Sequence, residues 1–394
     1  MVISPTATTV QVSSSYLPED IVFSILSKLP VKSLRRFECV SKSWSLLFDD
    51  NYFMNMYRNY FLSKDSSSSL LLHVEGGDYK YGEYPPYNLY SVSGERFEKR
   101  VKLDWPNPFV KTRGDPSPYG TVLSSKLLSC ASVNGTLCIH SSYGGNVMFI
   151  IWNPTTDEFK VIPSSFEFPE FYWRPYTTHH LFGFDRVKKD YKFVQYVREV
   201  PHDQETEDDN FFWEIYSLNS NSWKKLKVGI PHSYRIDEQV YMDGVSHWLG
   251  ESRTRTYLVS FDFSSESCIK LPIPSYINDN RKVERHLVIL NGFIAFILAY
   301  KETSIFHISI LGEIGIKESW TKLFIVGPLP FQLEYPIGAG EKGKILFRRK
   351  NDKLALFDLR TGMIDEIGTA SKKKFGCNIL FHKESILPIG GIYV

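Results

Sequence analysis

The sequence predicts a mainly β chain with a small α module at its N-terminus, and three observations carry that prediction. Aromatic residues reach 15%, with 28 Phe, 23 Tyr and 8 Trp, a composition suited to the pleated, half-buried surface of strands. Residues 17–61 contain no glycine and repeat their apolar side chains at helical spacing. Beyond residue 70 that period disappears, and short apolar runs recur between Gly, Pro, Asn and Asp turns. With 394 residues, 43% hydrophobic and 23% charged, the chain can bury a large core. Its formal charge of +2, from 46 basic and 44 acidic residues, provides no global grip on nucleic acid or an anionic membrane.

Residues 1–15 include seven Ser or Thr, carry no Lys or Arg and repeat with no structural period. They read as a disordered tail, and no secretory signal is expected. In the module that follows, residues 16–62, Pro18 suits the first helical position, and Glu19 and Asp20 meet the positive end of the helix dipole. Ile21, Ile25, Leu26 and Leu29 continue the helix until Pro30 stops it. A second short helix is expected over residues 33–39, with Leu34 and Phe37 inward. Ser41 can cap a third turn holding Trp44 and Leu47, and Asp50 or Asn51 a fourth through Phe53, Met56, Tyr57 and Tyr60. The apolar side chains of the first helix cover more than one face. Either all of them pack within the module, or a surplus face awaits a partner.

Five serines within residues 63–69 mark a polar linker. In residues 70–394, six units share one grammar: a strand, a tight turn, a strand such as "SFD" or "WNP", a polar turn, and a further strand. They cover residues 70–104, 132–163, 181–226, 240–274, 287–324 and 338–367. Starts about 45–60 residues apart suit four-stranded blades stacked in a ring, because a lone blade cannot bury both of its faces. About six blades of a β-propeller-like domain follow, with residues 375–389 pairing near Leu70 to close the ring.

The order of residues also carries a resemblance. Leu17-Pro18-Glu19-Asp20, Ile25-Leu26-Ser27-Lys28-Leu29-Pro30-Val31-Lys32-Ser33-Leu34 and Phe37-Glu38-Cys39-Val40-Ser41-Lys42-Ser43-Trp44 closely resemble the F-box of plant F-box proteins. Glu38, where a basic residue is common, and Asn51, where the family often has Pro, are the departures. The β region resembles the F-box-associated interaction domain of that superfamily, which includes kelch-like and S-locus branches. The carrying residues are Asn134-Gly135, Trp152-Asn153-Pro154-Thr155-Thr156, Gly183-Phe184-Asp185 with Asp190-Tyr191-Lys192, Tyr216-Ser217-Leu218 with Ser222-Trp223-Lys224, and Asp243-Gly244-Val245-Ser246-His247-Trp248. The resemblance implies that Leu17, Pro18, Ile21, Ile25, Leu26, Leu29, Pro30, Leu34, Val40 and Trp44 form or support a surface for the Skp-family adaptor. Through that adaptor the chain would reach the cullin and RING subunits of an SCF ubiquitin ligase, while the β domain selects a target protein.

Motifs for chemistry are weak. Gly338-Ala339-Gly340-Glu341-Lys342-Gly343-Lys344-Ile345 fits two phosphate-loop patterns, yet a strand follows where a helix is needed, so it reads as a glycine-rich hairpin or connection. His179 and His180, with Cys130, Cys138 and His140, match no zinc spacing. No GxSxG occurs, so catalysis has no support and neither metal nor cofactor is expected. The cysteines Cys39, Cys130, Cys138, Cys268 and Cys377 are scattered and predict free thiols in a reducing cytosolic or nuclear setting. The longest apolar run, residues 287–300, is too short to span a membrane as a helix.

Two segments suggest recognition. Residues 163–180 place six rings and Arg174 between two units, with Phe171, Tyr172, Trp173 and Arg174 as the anchors for a target. Alternatively those rings fill blade interfaces. Residues 202–210 carry Asp203, Glu205, Glu207, Asp208 and Asp209, which could attract a basic partner or form a solvated hairpin tip. The expected function is therefore a non-catalytic, substrate-recognition subunit of an SCF ligase, with no nucleic acid or membrane partner. A propeller-type enzyme or sugar-binding module with a helical appendage is the rival, and a pollen-type S-locus protein directed at a ribonuclease is a subordinate possibility within the family.

Overall fold

Runs of β-branched and aromatic residues between turn formers fold as strands in the computed structural model, and the glycine-free segment contributes helix. The structure describes residues 18–29, 37, 40, 42–45, 50, 52–53, 56, 69–75, 87–93, 99–104, 106, 124–127, 132–143, 146–165, 176–199, 210–231, 239–251, 256–274, 283–300, 302–329, 333–339, 343–349, 353–369, 377–382 and 389. The chain divides into two compact units, Met1–Phe61 and Leu62–Val394. The first holds α1 (Glu19–Leu26) and α2 (Lys42–Ser45).

Among the described residues, the second unit is built from six four-stranded antiparallel sheets. The first contains β1 (Ser69–Glu75), β2 (Tyr87–Ser93) and β3 (Lys99–Leu103). The second contains β4 (Ser124–Leu127), β5 (Leu137–Tyr143), β6 (Asn146–Asn153) and β7 (Glu158–Ile162). The third is β8 (Tyr176–Asp185), β9 (Asp190–Glu199), β10 (Asn210–Ser217) and β11 (Ser222–Lys225). The fourth is β12 (Val240–Met242), β13 (Val245–Glu251), β14 (Thr256–Asp262) and β15 (Ser267–Pro272). The fifth comprises β16 (Val283–Leu290), β17 (Phe293–Tyr300), β18 (Ile305–Leu311) and β19 (Trp320–Val326). The sixth comprises β20 (Leu333–Ala339), β21 (Lys344–Arg349), β22 (Lys353–Asp358) and β23 (Ile364–Thr369). The strand that completes the first sheet arrives last in the chain: β24 (Cys377–His382) pairs antiparallel with β1, Leu71 opposite Leu380.

Contacts link β12 to β16, β16 to β20 and β20 to β24, so these strands line the inside of a ring. Contacts of β13 with β8 and of β2 with β4 continue it, and Phe149 against Phe193 joins the second sheet to the third. Closure by β24 is the pairing expected for residues 375–389. Because each sheet is sandwiched, β17 is buried along almost its whole length, and its sequence FIAFILAY reads as one apolar run without alternation. The seams hold most of the core. Leu249 and Leu258 meet Leu287 and Phe296 between the fourth and fifth sheets, and Trp248 and Phe261 meet Leu181 and Trp213 between the third and fourth.

The repeated "WNP", "GFD" and "SFD" words are turn chemistry. Asn153 Oδ1 accepts the Thr155 N–H at 3.0 Å, and Asp185 Oδ1 accepts those of Val187 and Lys188 at 2.9 Å. Asp262 Oδ1 accepts from Ser264 at 2.7 Å and Asp358 Oδ1 from Arg360 at 2.8 Å. These side chains fold the backbone back on itself, and the left-handed residues Asp157, Lys189, Glu266 and Gly362 complete the turns. The two-residue links Asp243-Gly244 and Asn291-Gly292 have positive φ at both positions, the twist that a tight hairpin needs.

Some boundaries differ from the sequence reading. Ser69, assigned to the linker, opens β1. The second sheet begins at Ser124 rather than residue 132, and the segment 163–180 ends in strand, since Tyr176–His180 belong to β8. A bulge between Thr177 and His179 breaks the alternation there, which removes the period-two signal. Pro18 occupies the N-cap position, with ψ 141°, instead of the first helical position. At the glycine-rich word, β20 and β21 pair antiparallel, with Ala339 opposite Ile345. Cys268 is a free thiol.

Candidate functional site

The helical unit is organised around Phe53, which is fully buried and packs edge-on against Phe23 at 5.5 Å. Asp50 Oδ1 accepts the Phe53 N–H at 2.6 Å and so caps the turn that presents this ring. Before α1, the Pro18 carbonyl accepts the N–H groups of Ile21 and Val22 at 3.0 and 3.1 Å. Glu19 and Asp20 lie in the first turn, where the helix dipole favours their charge. One side of α1 turns Leu26 inward, 4% exposed, while Ile21 and Ile25 stand 47% and 52% exposed. Four residues apart, those two share a stripe on the helix surface. Pro18 and Val40 are exposed as well, Leu29 is half-buried, and the half-buried Trp44 lies edge-on to Phe37 at 5.5 Å. Leu17, Pro30 and Leu34 lie outside the described residues.

In the β unit, Phe171, Tyr172, Trp173, Arg174, Asp203, Glu205, Glu207, Asp208 and Asp209 all lie outside the described residues. Their attachment points are described. The aromatic segment runs into β8 at Tyr176, and the acidic segment joins β9 at Glu199 to β10 at Asn210. Tyr176 stands opposite Arg198, and Asn210 opposite Glu199. Both segments therefore attach at one end of one sheet.

Residues 88–383 match the family model of the F-box associated beta propeller domain, and residues 14–55 that of the F-box domain. The chain belongs to the F-box-associated β-propeller family. Among relatives of this F-box protein, the Arabidopsis thaliana F-box protein At3g16210 is 28% identical over 67% of the chain, which spans 62% of that relative's length. At3g17490, another Arabidopsis thaliana F-box protein, is 26% identical over 84% of the chain and 79% of its own length. The Arabidopsis thaliana F-box protein CPR1 is 25% identical over 88% of the chain and 82% of its own length.

Sequence reasoning missed the charged cluster inside this F-box protein's β domain. Lys192, with a side chain only 3% exposed, pairs with Asp185 at 2.8 Å and Glu266 at 2.9 Å, and donates to the Phe263 carbonyl at 2.8 Å. Lys224 then pairs with Glu266 at 2.7 Å. Burial opposes charge on all three inner groups, but hydrogen bonds and ion pairs outweigh it, the Lys188 N–H first for Asp185, Lys224 first for Glu266 and Asp185 first for Lys192: Lys192 is held above its ordinary pKa, and Asp185 and Glu266 below theirs. A cavity of about 410 Å³ adjoins the cluster, yet its charges are already matched one to another. The cluster ties the third sheet to the fourth, aided by Tyr241, whose hydroxyl donates to the Phe184 carbonyl at 3.2 Å. Gly183 belongs to the same seam, since a Cβ there would run into the Phe263 ring. No sequence signal joins residues 74 positions apart. Among the described residues, no group of three His, Cys, Asp or Glu is placed to hold a metal ion.

Proposed function

We propose that this chain is the substrate-recognition subunit of an SCF ubiquitin ligase. The F-box docks on a Skp-family adaptor and through it reaches cullin and the RING subunit. The β domain captures a target protein, in the cytosol or nucleus. The chain supplies proximity and no bond-making group: ubiquitin transfer is accelerated because target lysines are held at high effective concentration. The observation that carries this reading is the F-box match over residues 14–55, with Ile21 and Ile25 exposed on the helix it contains. Apolar side chains that a module's own core does not cover are suited to a partner's pocket, and one such anchor is worth on the order of 2–4 kcal/mol.

Titration with a purified Skp-family adaptor tests it. Replacing Ile21 and Ile25 together by Asp should weaken binding by about a thousandfold or more, as two lost anchors require. The melting of the β unit should be unchanged, because both side chains are already in water. Unaltered adaptor affinity would refute the reading. Target capture is assigned to the sheet end where residues 166–175 and 200–209 attach. Changing Tyr172, Trp173 and Arg174 together to Ala should abolish target ubiquitination and leave adaptor affinity intact. Normal target turnover by the folded triple variant would move the binding face elsewhere.

A further inference from the structure

Strand β3 is the outer edge of the first sheet, and it is unusually basic. Lys99, Arg100 and Lys102 are exposed, and Val101 between them is 60% exposed. None of the three cations forms an ion pair with a described residue. Arg100 instead lies over the Tyr90 ring of β2, 3.8 Å from its centroid, which holds the guanidinium beside the sheet. Pairing of Val92 with Arg100 and of Tyr90 with Lys102 puts both cations on one face, leaving Lys99 and Val101 on the other. Among the described residues no strand pairs with the far side of β3, so alternate backbone N–H and C=O groups face outward.

Lysine on an edge strand ordinarily serves to discourage pairing with another chain. The other outer strands fit that modest role. β7 sets Lys160 against Glu158, β15 and β19 each carry one lysine, and β23 carries Asp365 and Glu366. In β11, Lys224 is already paired and Lys225 lies over the Phe212 ring, 3.8 Å from its centroid. Three cations within four residues, none of them in an ion pair with a described residue, exceed what repulsion alone needs. They convert an edge that rejects neutral and basic strands into one that selects acidic strands, through cross-strand ion pairs.

We infer that β3 is a docking edge for an extended, acidic segment of a partner protein, which adds to the first sheet as a further strand. Its carboxylates stand over Arg100 and Lys102, and its apolar side chains cover Val101 on the opposite face. Main-chain pairing supplies the register and the charges supply the selection. This goes beyond the ligase reading and stands on β3 alone, so neither adaptor binding nor target turnover bears on it.

The test uses the full chain and a fluorescent heptapeptide, Thr-Glu-Val-Glu-Val-Glu-Thr, followed by anisotropy. The peptide should bind saturably, and its counterpart with lysine in place of glutamate should not. Arg100→Glu with Lys102→Glu should weaken binding about tenfold, the combined worth of two exposed ion pairs. Raising salt from 0.1 to 1 M should weaken it too, as the screening length shrinks from about 10 to about 3 Å. Of two peptides N-methylated at alternate residues in opposite phase, one should lose binding and the other keep it, because only one edge of the peptide pairs. Absence of saturable binding, or equal binding by the double variant, overturns the proposal. So does full binding by both N-methylated peptides, which would mean that charge acts without an added strand.

Discussion

Lys192 is a full charge enclosed by protein, and it is tolerated because two carboxylates and a carbonyl surround it. Replacing it by Met leaves the fully buried Asp185 carboxylate without its counter-charge. The expected cost in denaturant unfolding is about 3–5 kcal/mol. Lys224→Met, which removes a side chain 58% exposed, should cost no more than about 1 kcal/mol. Equal costs would mean that enclosure is not what gives Lys192 its weight. Two buried histidines set the acid limit. His247 accepts or donates one hydrogen bond, to Ser260 at 2.8 Å, and its Nε2 is buried without a partner. Burial pushes its pKa down to about 3 and that of His382 to about 4. In the unfolded chain both groups take up a proton near their ordinary value of 6.5, whereas the folded chain refuses it. Stability is therefore complete above pH 6.5 and is lost as pH falls towards the folded values. The melting temperature should be level above pH 7 and decline below 6.5, and His247→Gln should make that decline shallower. An unchanged slope in the variant would remove His247 from this account.

At the scale of elements, side-chain acceptors recur at the turns, and each is testable alone. Asp262→Ala deletes the acceptor for the Ser264 N–H and should cost about 1 kcal/mol while leaving the strands paired. No loss would show that the backbone geometry alone holds the turn. These turns also explain how much of the architecture was legible. Asx residues, Gly and Pro announce where strands stop, so the six units could be counted from the chain. Strands that are polar in sequence or interrupted by a bulge were harder to place. β4 is the polar word SSKL, and β8 begins with Tyr-Thr-Thr and a bulge, so neither shows the alternation that marks a strand. In the helical unit, Asp50 was legible as a cap because its side chain can reach only local donors. Pro18 was misplaced by one position, since a proline ring suits the N-cap backbone as well as the first turn. The exposed stripe of Ile21 and Ile25 was half legible: spacing shows which residues share a face, but only packing shows which face Leu26 buries. The Lys192 cluster joins two blades by contacts that no local pattern records.

At the scale of the whole molecule, the first sheet is completed from both ends of the β unit. Stopping the chain before β24 should leave one edge of β1 unpaired and replace a sharp melting transition by a broad one, whereas removing Met1–Phe61 should leave the transition of the second unit intact. A sharp melt without β24 would show that the ring closes by other means. The arrangement has a further consequence during synthesis. At about 5–20 residues per second, tens of seconds separate the emergence of β1 from that of β24. Through that interval the helical unit has already left the ribosome, while the blades behind it form an open arc with a bare edge at β1. A ribosome that stalls or terminates early thus releases a chain with its N-terminal module whole and its ring unclosed. Such a fragment keeps its F-box and lacks the finished propeller, so only full-length synthesis joins the two.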